Sequence, residues 1–216
     1  GYTGRYYIVI DDEDDQEEEY RRIYGDKVVQ FCKEDRAKKT DVGDTSKERR
    51  CIIFARNEAF SIARDLELKY FIELDDDYTS FRYLVEKNGK LWHPHIKQID
   101  HVFEALIQFL DVSGTKSVAI AQGGDLIGGI KSTRWKQQLL RKAMNSFICR
   151  TDNPINFVGR INEDVNTYVT GGIRGELYLT TLKACLNQEM TQKSKGGMTE
   201  NYLDGGTYVK TFYSVV

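Results

Sequence analysis

Apolar positions along this chain fall into short runs and helical stripes separated by sharply polar stretches. Arg5-Tyr-Tyr-Ile-Val-Ile10 is a β-rich run that stops at Asp11-Asp12-Glu13-Asp14-Asp15, which predicts a buried strand feeding an acidic loop. Residues 16–24 predict a helix, because Glu17 to Glu19 come early and Arg21 and Arg22 late, as the helix dipole favours. Lys27-Val-Val-Gln-Phe31 predicts a second strand, and residues 33–50 read as a long polar loop, functional or mobile. Phe60, Ala63 and Leu66 lie at helical spacing over 57–67, and Tyr70-Phe-Ile-Glu-Leu74 is a strand that runs straight into Asp75-Asp76-Asp77. The strongest helix spans Gln98 to Asp111, with Ile99, Val102, Phe103, Leu106, Ile107 and Leu110 on one face.

Further on, Ser117–Ala121 and Ser146–Arg150 predict strands on either side of a short basic helix at 135–144. A short helix follows Asn162-Glu163-Asp164 and ends at Gly171-Gly172. Leu177–Leu182 is a strand, Ser194–Gly197 a loop, and Thr207–Val216 extended or mixed. Strands and helices alternate in the first half, which implies βα units and a largely parallel sheet. With no repeat and no Pro-rich linker, the 216 residues are expected to form one α/β domain.

Composition narrows the classes of function. The net charge of −2 argues against a general binder of nucleic-acid backbone, although a local basic patch suffices for an enzyme that visits DNA. No apolar run is long enough for a bilayer, and Gly1–Arg5 carries no apolar leader core, so no membrane is expected and the reading is cytoplasmic. Cys32, Cys51, Cys149 and Cys185 are widely spaced, which predicts reduced thiols and no zinc site.

The candidate chemistry starts at Asp75-Asp76-Asp77. Ligands of open α/β sheets bind beyond the carboxyl ends of strands. On an extended segment Asp75 and Asp77 point the same way, so the two can share one Mn²⁺ or Mg²⁺, while Asp76 points elsewhere. Such an ion neutralises charge on a leaving diphosphate. A solvated Asp-rich turn is the alternative, but three adjacent like charges at the end of an apolar strand repel without a compensating cation.

These residues, taken in order, resemble a family. Ala55-Arg56-Asn57 followed by Tyr70–Asp77 is similar to the core of GT-A-fold glycosyltransferases. More closely, the chain resembles the glycosyltransferases associated with TET/JBP-type oxygenases, which include the base J glucosyltransferase and bacteriophage relatives. Ile10–Asp14, Ile23–Asp26, Lys39-Thr40-Asp41, Ala121–Asp125, Asn162–Asn166 and Gly206–Lys210 extend the likeness over nearly the whole chain. The resemblance implies a three-layer α/β/α sandwich of GT-A type with a mostly parallel central sheet. It also implies a nucleotide-sugar donor, of UDP-sugar type, and a hydroxymethylated pyrimidine in DNA (hydroxymethylcytosine or hydroxymethyluracil) as acceptor.

In that reading Asp75 and Asp77 hold the metal, Asp76 faces the donor's ribose or sugar, and Arg56 with Asn57 lies near the nucleotide. Asp11 and Asp12 approach base and ribose, and Lys39 and Asp41 help close the donor site. Asn162-Glu163-Asp164 resembles the acidic pair that supplies the base in inverting enzymes, with Asp164 favoured over Glu163. An acid-rich helix start is the structural alternative, and both can hold together. The chain begins at what resembles the second strand of the nucleotide-binding half, so a first strand and helix are expected to be missing. No His follows His101, which leaves a third metal ligand unassigned.

Two more segments bear on the acceptor. Gln122-Gly123-Gly124-Asp125 follows a strand, and its glycines let a substrate approach the backbone, or form a plain turn. Lys131, Arg134, Trp135 and Lys136, with Arg141 and Lys142 beyond, make the most basic stretch and the candidate DNA-facing surface, with a solvated helix face as the alternative for any single residue. His93 and His95 beside Trp92 lack the carboxylate or Cys needed for a metal site and read as surface loop. Competing readings are a protein, glycan or small-molecule acceptor, and a non-catalytic binding module on a transferase fold.

Overall fold

The computed structural model describes residues 1–45, 49–144 and 146–188. Gly206–Lys210, the Ser194–Gly197 loop and the Thr207–Val216 segment lie outside the described residues. The first unit is a crossover. β1 (Ile8–Asp11) and β2 (Val28–Phe31) pair in parallel through α1 (Glu17–Tyr24) and a 3-10 turn at Gly25–Lys27. Gly25 takes φ +60° where the chain leaves the helix, a conformation without cost for glycine.

The stretch after β2 is not all loop. It opens with α2 (Lys33–Ala37), a helix whose polar sequence gives no apolar period. Tertiary contact holds it instead: Arg36 of α2 pairs with Glu58 and donates to Ser61 Oγ at 2.9 Å, both on α3 (Ile53–Asp65).

The main sheet runs in the order β3 (Tyr70–Leu74), β9 (Ser146–Arg150), β7 (Ser117–Ala121), β10 (Tyr178–Gln188) and β4 (Tyr78–Tyr83), with β8 (Leu139–Leu140) also on β10. Side chains alternate across it. Ala119, Phe147 and Cys149 cluster with Phe54 and Phe60 of α3 on one face. Val118, Ile120 and Ile148 cluster with Ile99, Phe103, Leu106 and Leu110 of α4 (Ile99–Ser113) on the other. Helices thus cover both faces, giving three layers. Full burial of aliphatic side chains such as Leu110, Val118 and Ile148 contributes about 1.5–3 kcal/mol each.

The sheet is mixed, which corrects the expectation of a mostly parallel one. β7 and β10 pair in parallel, whereas β3–β9, β7–β9, β10–β4 and β10–β8 are antiparallel. The cause lies in residues 122–145. The backbone N–H of Ile120, near the end of β7, donates to Ser146 Oγ at the start of β9 at 2.9 Å. The excursion therefore leaves and re-enters at one end of the sheet, and β9 must run back against β7. Strand–helix alternation predicts parallel pairing only where the helix carries the chain to the opposite end, as α1 does.

Two further differences have local causes. β4 and the hairpin of β5 (Val85–Lys87) and β6 (Lys90–Trp92) are not marked by apolar runs, because their alternation mixes Tyr, Ser, Arg and Lys. The signal was the turn: Asn88 and Gly89 both have positive φ, the pattern of a tight primed turn. In place of a basic helix at 135–144 the chain forms α5 (Thr133–Gln137), N-capped by Ser132 Oγ accepting from Trp135 N at 3.1 Å. Gln138, in the left-handed region at φ +63°, then turns the chain into β8. The four cysteines are free thiols. No described helix is long and apolar enough to cross a membrane.

One buried amide ties α3 to the segment leading toward the site. Asn57 Nδ2 donates to the Phe157 carbonyl at 3.0 Å, and the Phe157 N–H donates to Asn57 Oδ1 at 2.9 Å. Asn57→Ala is expected to leave both backbone groups of Phe157 buried and unpaired and to cost about 2 kcal/mol or more, read as a lower urea midpoint.

Candidate active site

Arg56 sits at the centre of a buried charge network. Its side chain is 5% exposed. Nη2 donates to Asp75 Oδ1 at 3.0 Å and Nε to Glu163 Oε1 at 3.0 Å, while Nη1 lies 3.7 Å from Glu73 Oε2. The rings of Phe147 and Phe157 flank the guanidinium at 5.0 and 5.7 Å. Burial opposes its charge, but the carboxylates of Asp75, Glu163, Glu73 and Asp164 outweigh that and hold its pKa above the usual value. Arg56 thus binds three elements together: α3, the end of β3, and α6 (Glu163–Ile173).

The carboxylates outnumber that one cation. Burial pushes Glu73 up to about 8, with Arg56 opposing and Asp75 reinforcing the shift, and neither of its oxygens has a hydrogen-bond partner among the described residues. Asp75 is raised by burial as well, with Arg56 opposing, and Tyr78 donates its hydroxyl to Asp75 Oδ2 at 3.3 Å. Asp77 accepts from Gln188 Nε2 at 2.6 Å through Oδ2, and its Oδ1 is buried without a partner among the described residues. Asp76 is exposed.

An all-oxygen donor set with an unpartnered carboxylate oxygen fits a hard divalent cation, which takes one or two protein carboxylates and fills its remaining positions with phosphate or water. No group of three His, Cys, Asp or Glu gathers as a metal site among the described residues. The residues at hand thus fit a cation shared with a ligand and not one caged by protein alone.

α6 begins at Asn162, which takes φ +56° and ψ 37°, a left-handed conformation that Asn tolerates better than most residues. The bend delivers Glu163 and Asp164 in the first turn, where the helix dipole favours them. Asp164 is buried, its Oδ1 accepts from Val165 N at 2.7 Å, and burial, then the Glu163 charge, raises it to about 6. Burial raises the Tyr168 hydroxyl, with the charges of Asp164 and of Asp125, which sits on the turn after β7, reinforcing the shift.

That turn is built to stay put. Gln122 N donates to Asp125 Oδ2 at 3.1 Å, Asp125 N returns a bond to the Gln122 carbonyl at 2.9 Å, and buried Asp125 pairs with Lys142 Nζ at 2.5 Å. A Cβ at Gly123 or Gly124 meets nothing within 4 Å, and neither has positive φ. Among the described residues, these glycines therefore leave open space and serve neither a strained turn nor a tight packing contact.

The acidic loop after β1 faces the same region. Burial raises the Tyr20 hydroxyl, and the charges of Asp14 and Asp76 reinforce the shift. Asp11 pairs with buried Lys33 at 2.9 Å, and Asp12 accepts from Lys33 N at 2.8 Å, a bond that lowers its pKa. Cys51, pushed up to about 11 by burial, feels Arg160, Lys33 and Glu163. Asp41 is exposed, and its Oδ1 caps Gly43 N at 2.9 Å. Its carbonyl accepts from Gly159 N at 3.0 Å, and Arg160 forks onto Asp44 at 2.7 and 3.1 Å, so this loop is tied to the approach to α6. Lys39 is exposed just after α2.

A comparison with protein-family models matches residues 1–197 to the TET-Associated Glycosyltransferase family. The chain belongs to that family. It is a glycosyltransferase, with a sugar donor and an acceptor. No curated protein and no solved structure matches it.

Within this family member the structure joins Asp75, Arg56 and Glu163 by direct contact and sets Asp164 in the same electrostatic cluster. Arg56 spends its donors on carboxylates, and Asn57 spends its amide on Phe157, so both act on the protein around the site. Lys131, Arg134 and Lys136 are exposed, and Arg134 donates to the Gly124 carbonyl at 3.3 Å, which ties the basic stretch to the glycine turn. Trp135 is buried with Leu84, Ala121, Leu182 and Cys185, so its ring is a core side chain and not the stacking face expected of it. Sequence reasoning missed Glu73, Lys33, Tyr78 and Gln188. Only Glu73 left a signal there, as a lone carboxylate inside an apolar strand.

Proposed function

We propose that this glycosyltransferase moves a sugar, with inversion, from a nucleotide diphosphate of UDP-sugar type to the hydroxymethyl oxygen of a pyrimidine in DNA. The observation that carries the reading is Asp164, a buried carboxyl at a helix start, next to Glu163, which Arg56 joins to Asp75 at the end of β3. A GT-A-like arrangement accounts for acids at the end of β3 and at the start of α6.

Asp164 takes the proton of the acceptor hydroxyl as that oxygen attacks the anomeric carbon. The bond from that carbon to the diphosphate oxygen breaks on the opposite face, and its electron pair leaves with the diphosphate. Asp75 and Asp77 would hold a Mn²⁺ or Mg²⁺ that neutralises the departing charge. Arg56 keeps Asp75 and Glu163 in register, and Asp76, Asp11 and Asp12 border the donor. The open space over Gly123 and Gly124, above the locked Gln122–Asp125 pair, admits the acceptor base, which must leave its stack to reach the site.

The test is donor turnover with hydroxymethylated duplex, unmodified duplex, and no acceptor, each with Mn²⁺ or with chelator. Turnover stimulated only by the hydroxymethylated DNA supports the reading. Equal turnover in chelator removes the metal. Asp77→Asn is expected to lower kcat/KM about 100-fold at limiting Mn²⁺, the scale of losing one electrostatic stabiliser of the leaving group, with partial recovery at high Mn²⁺.

A further inference from the structure

The buried position of Trp135 leaves the other tryptophan, Trp92, as the exposed one. It lies on the β5–β6 hairpin and is 53% exposed. Residues of a strand alternate between faces. Leu91 turns inward onto the cluster around Trp135. Val85, Lys87, Lys90 and Trp92 share the outer face, with Val85 opposite Trp92 and Lys87 opposite Lys90. Lys87 Nζ lies 4.5 Å from the centre of the Trp92 ring, which orients the indole while leaving half of it in solvent. β6 also packs against the 3-10 turn that ends at Lys131, so that exposed lysine adjoins the hairpin. Among the described residues no carboxylate pairs with Lys87, Lys90 or Lys131. An exposed indole with three unpaired lysines matches an anionic polymer carrying flat rings.

We infer that the outer face of this hairpin is a platform for a nucleic-acid strand, with an unstacked base on Trp92 and phosphates on Lys87, Lys90 and Lys131. The inference rests on the reading of DNA as acceptor and adds a second contact remote from the reacting base. β4 connects the two places: it starts beside Asp77 and ends just before the hairpin. Its six residues span roughly 17 Å at about 3.4 Å per residue. That equals about five nucleotides of a strand at about 3.4 Å each. The enzyme thus needs several nucleotides on one side of the target, and very short acceptors miss the platform.

Tryptophan fluorescence tests this directly, because the chain has only two tryptophans. An unmodified single-stranded oligonucleotide, without donor, is expected to quench the intact protein. Quenching should vanish in Trp92→Leu, and affinity should fall about tenfold there and recover largely in Trp92→Phe. Lys87→Ala with Lys90→Ala should weaken binding and reduce the salt slope by about two. Donor hydrolysis without acceptor should match the unchanged chain in all of these variants, which controls for folding. Unaltered affinity in the tryptophan and lysine variants overturns the platform, and so does equal quenching by anionic lipid vesicles. If those variants still modify hydroxymethylated DNA at full efficiency, the platform fails and the acceptor reading stands. If no nucleic acid binds the intact chain while donor turnover continues, the acceptor reading fails, and the platform with it.

Discussion

Replacing Arg56 by methionine should destabilise the fold by about 3–5 kcal/mol, because it strands buried carboxylates without their cation. Asp75 and Glu163 lose their hydrogen bonds, and Glu73 loses the positive charge 3.7 Å away. Desolvation is the largest single effect on the guanidinium, but the carboxylates of Asp75, Glu163, Glu73 and Asp164 together outweigh it, so the charge belongs to the folded site. Urea denaturation measures the loss. A midpoint shift below the equivalent of 1 kcal/mol would show that the carboxylates find other partners. Arg56→Lys keeps the charge but cannot fork between α6 and the end of β3, so it should fall between the two.

Asp164→Asn is expected to lower kcat/KM by about 10²–10⁴, the usual reach of a general base, with donor affinity retained. Its pH signature separates this role from a positional one. Burial, and then Glu163, raise Asp164 to about 6, so in the intact enzyme the active, deprotonated form accumulates as pH rises through about 6. Rate should climb over that interval and level above it. The Asn variant should lose the limb together with the rate. A limb that persists assigns the proton transfer to another group, with Glu163 the first to examine.

How much was legible in the sequence depended on whether a signal was local. β3 and the Asp triplet were readable because an apolar run and an acid cluster adjoin. α4 was readable because its stripe repeats for four turns. The direction of β9 was not, since it is decided by Ser146 meeting Ile120 across 26 residues. The role of Arg56 was half legible. Its place beside the site follows from resemblance, but its partner Glu163 lies 107 residues away and only the fold brings them together. Trp135 misled because a tryptophan among Lys and Arg reads as a surface aromatic. Its actual surroundings include Leu84, just after β4, and Leu182 and Cys185 of β10, which lie far from it in sequence.

The excursion between β7 and β9 has an evolutionary consequence. Its two ends are stitched together at Ile120 and Ser146, so everything between them is a cassette on a closed base. Such a cassette can be lengthened, shortened or exchanged between lineages without moving β3, Arg56 or the start of α6. The conditions are an apolar anchor in the place of Trp135, a short strand that pairs with β10 as β8 does, and a small buried residue in the place of Ala143. The segment can then vary in surface and charge while the Arg56 network stays the same.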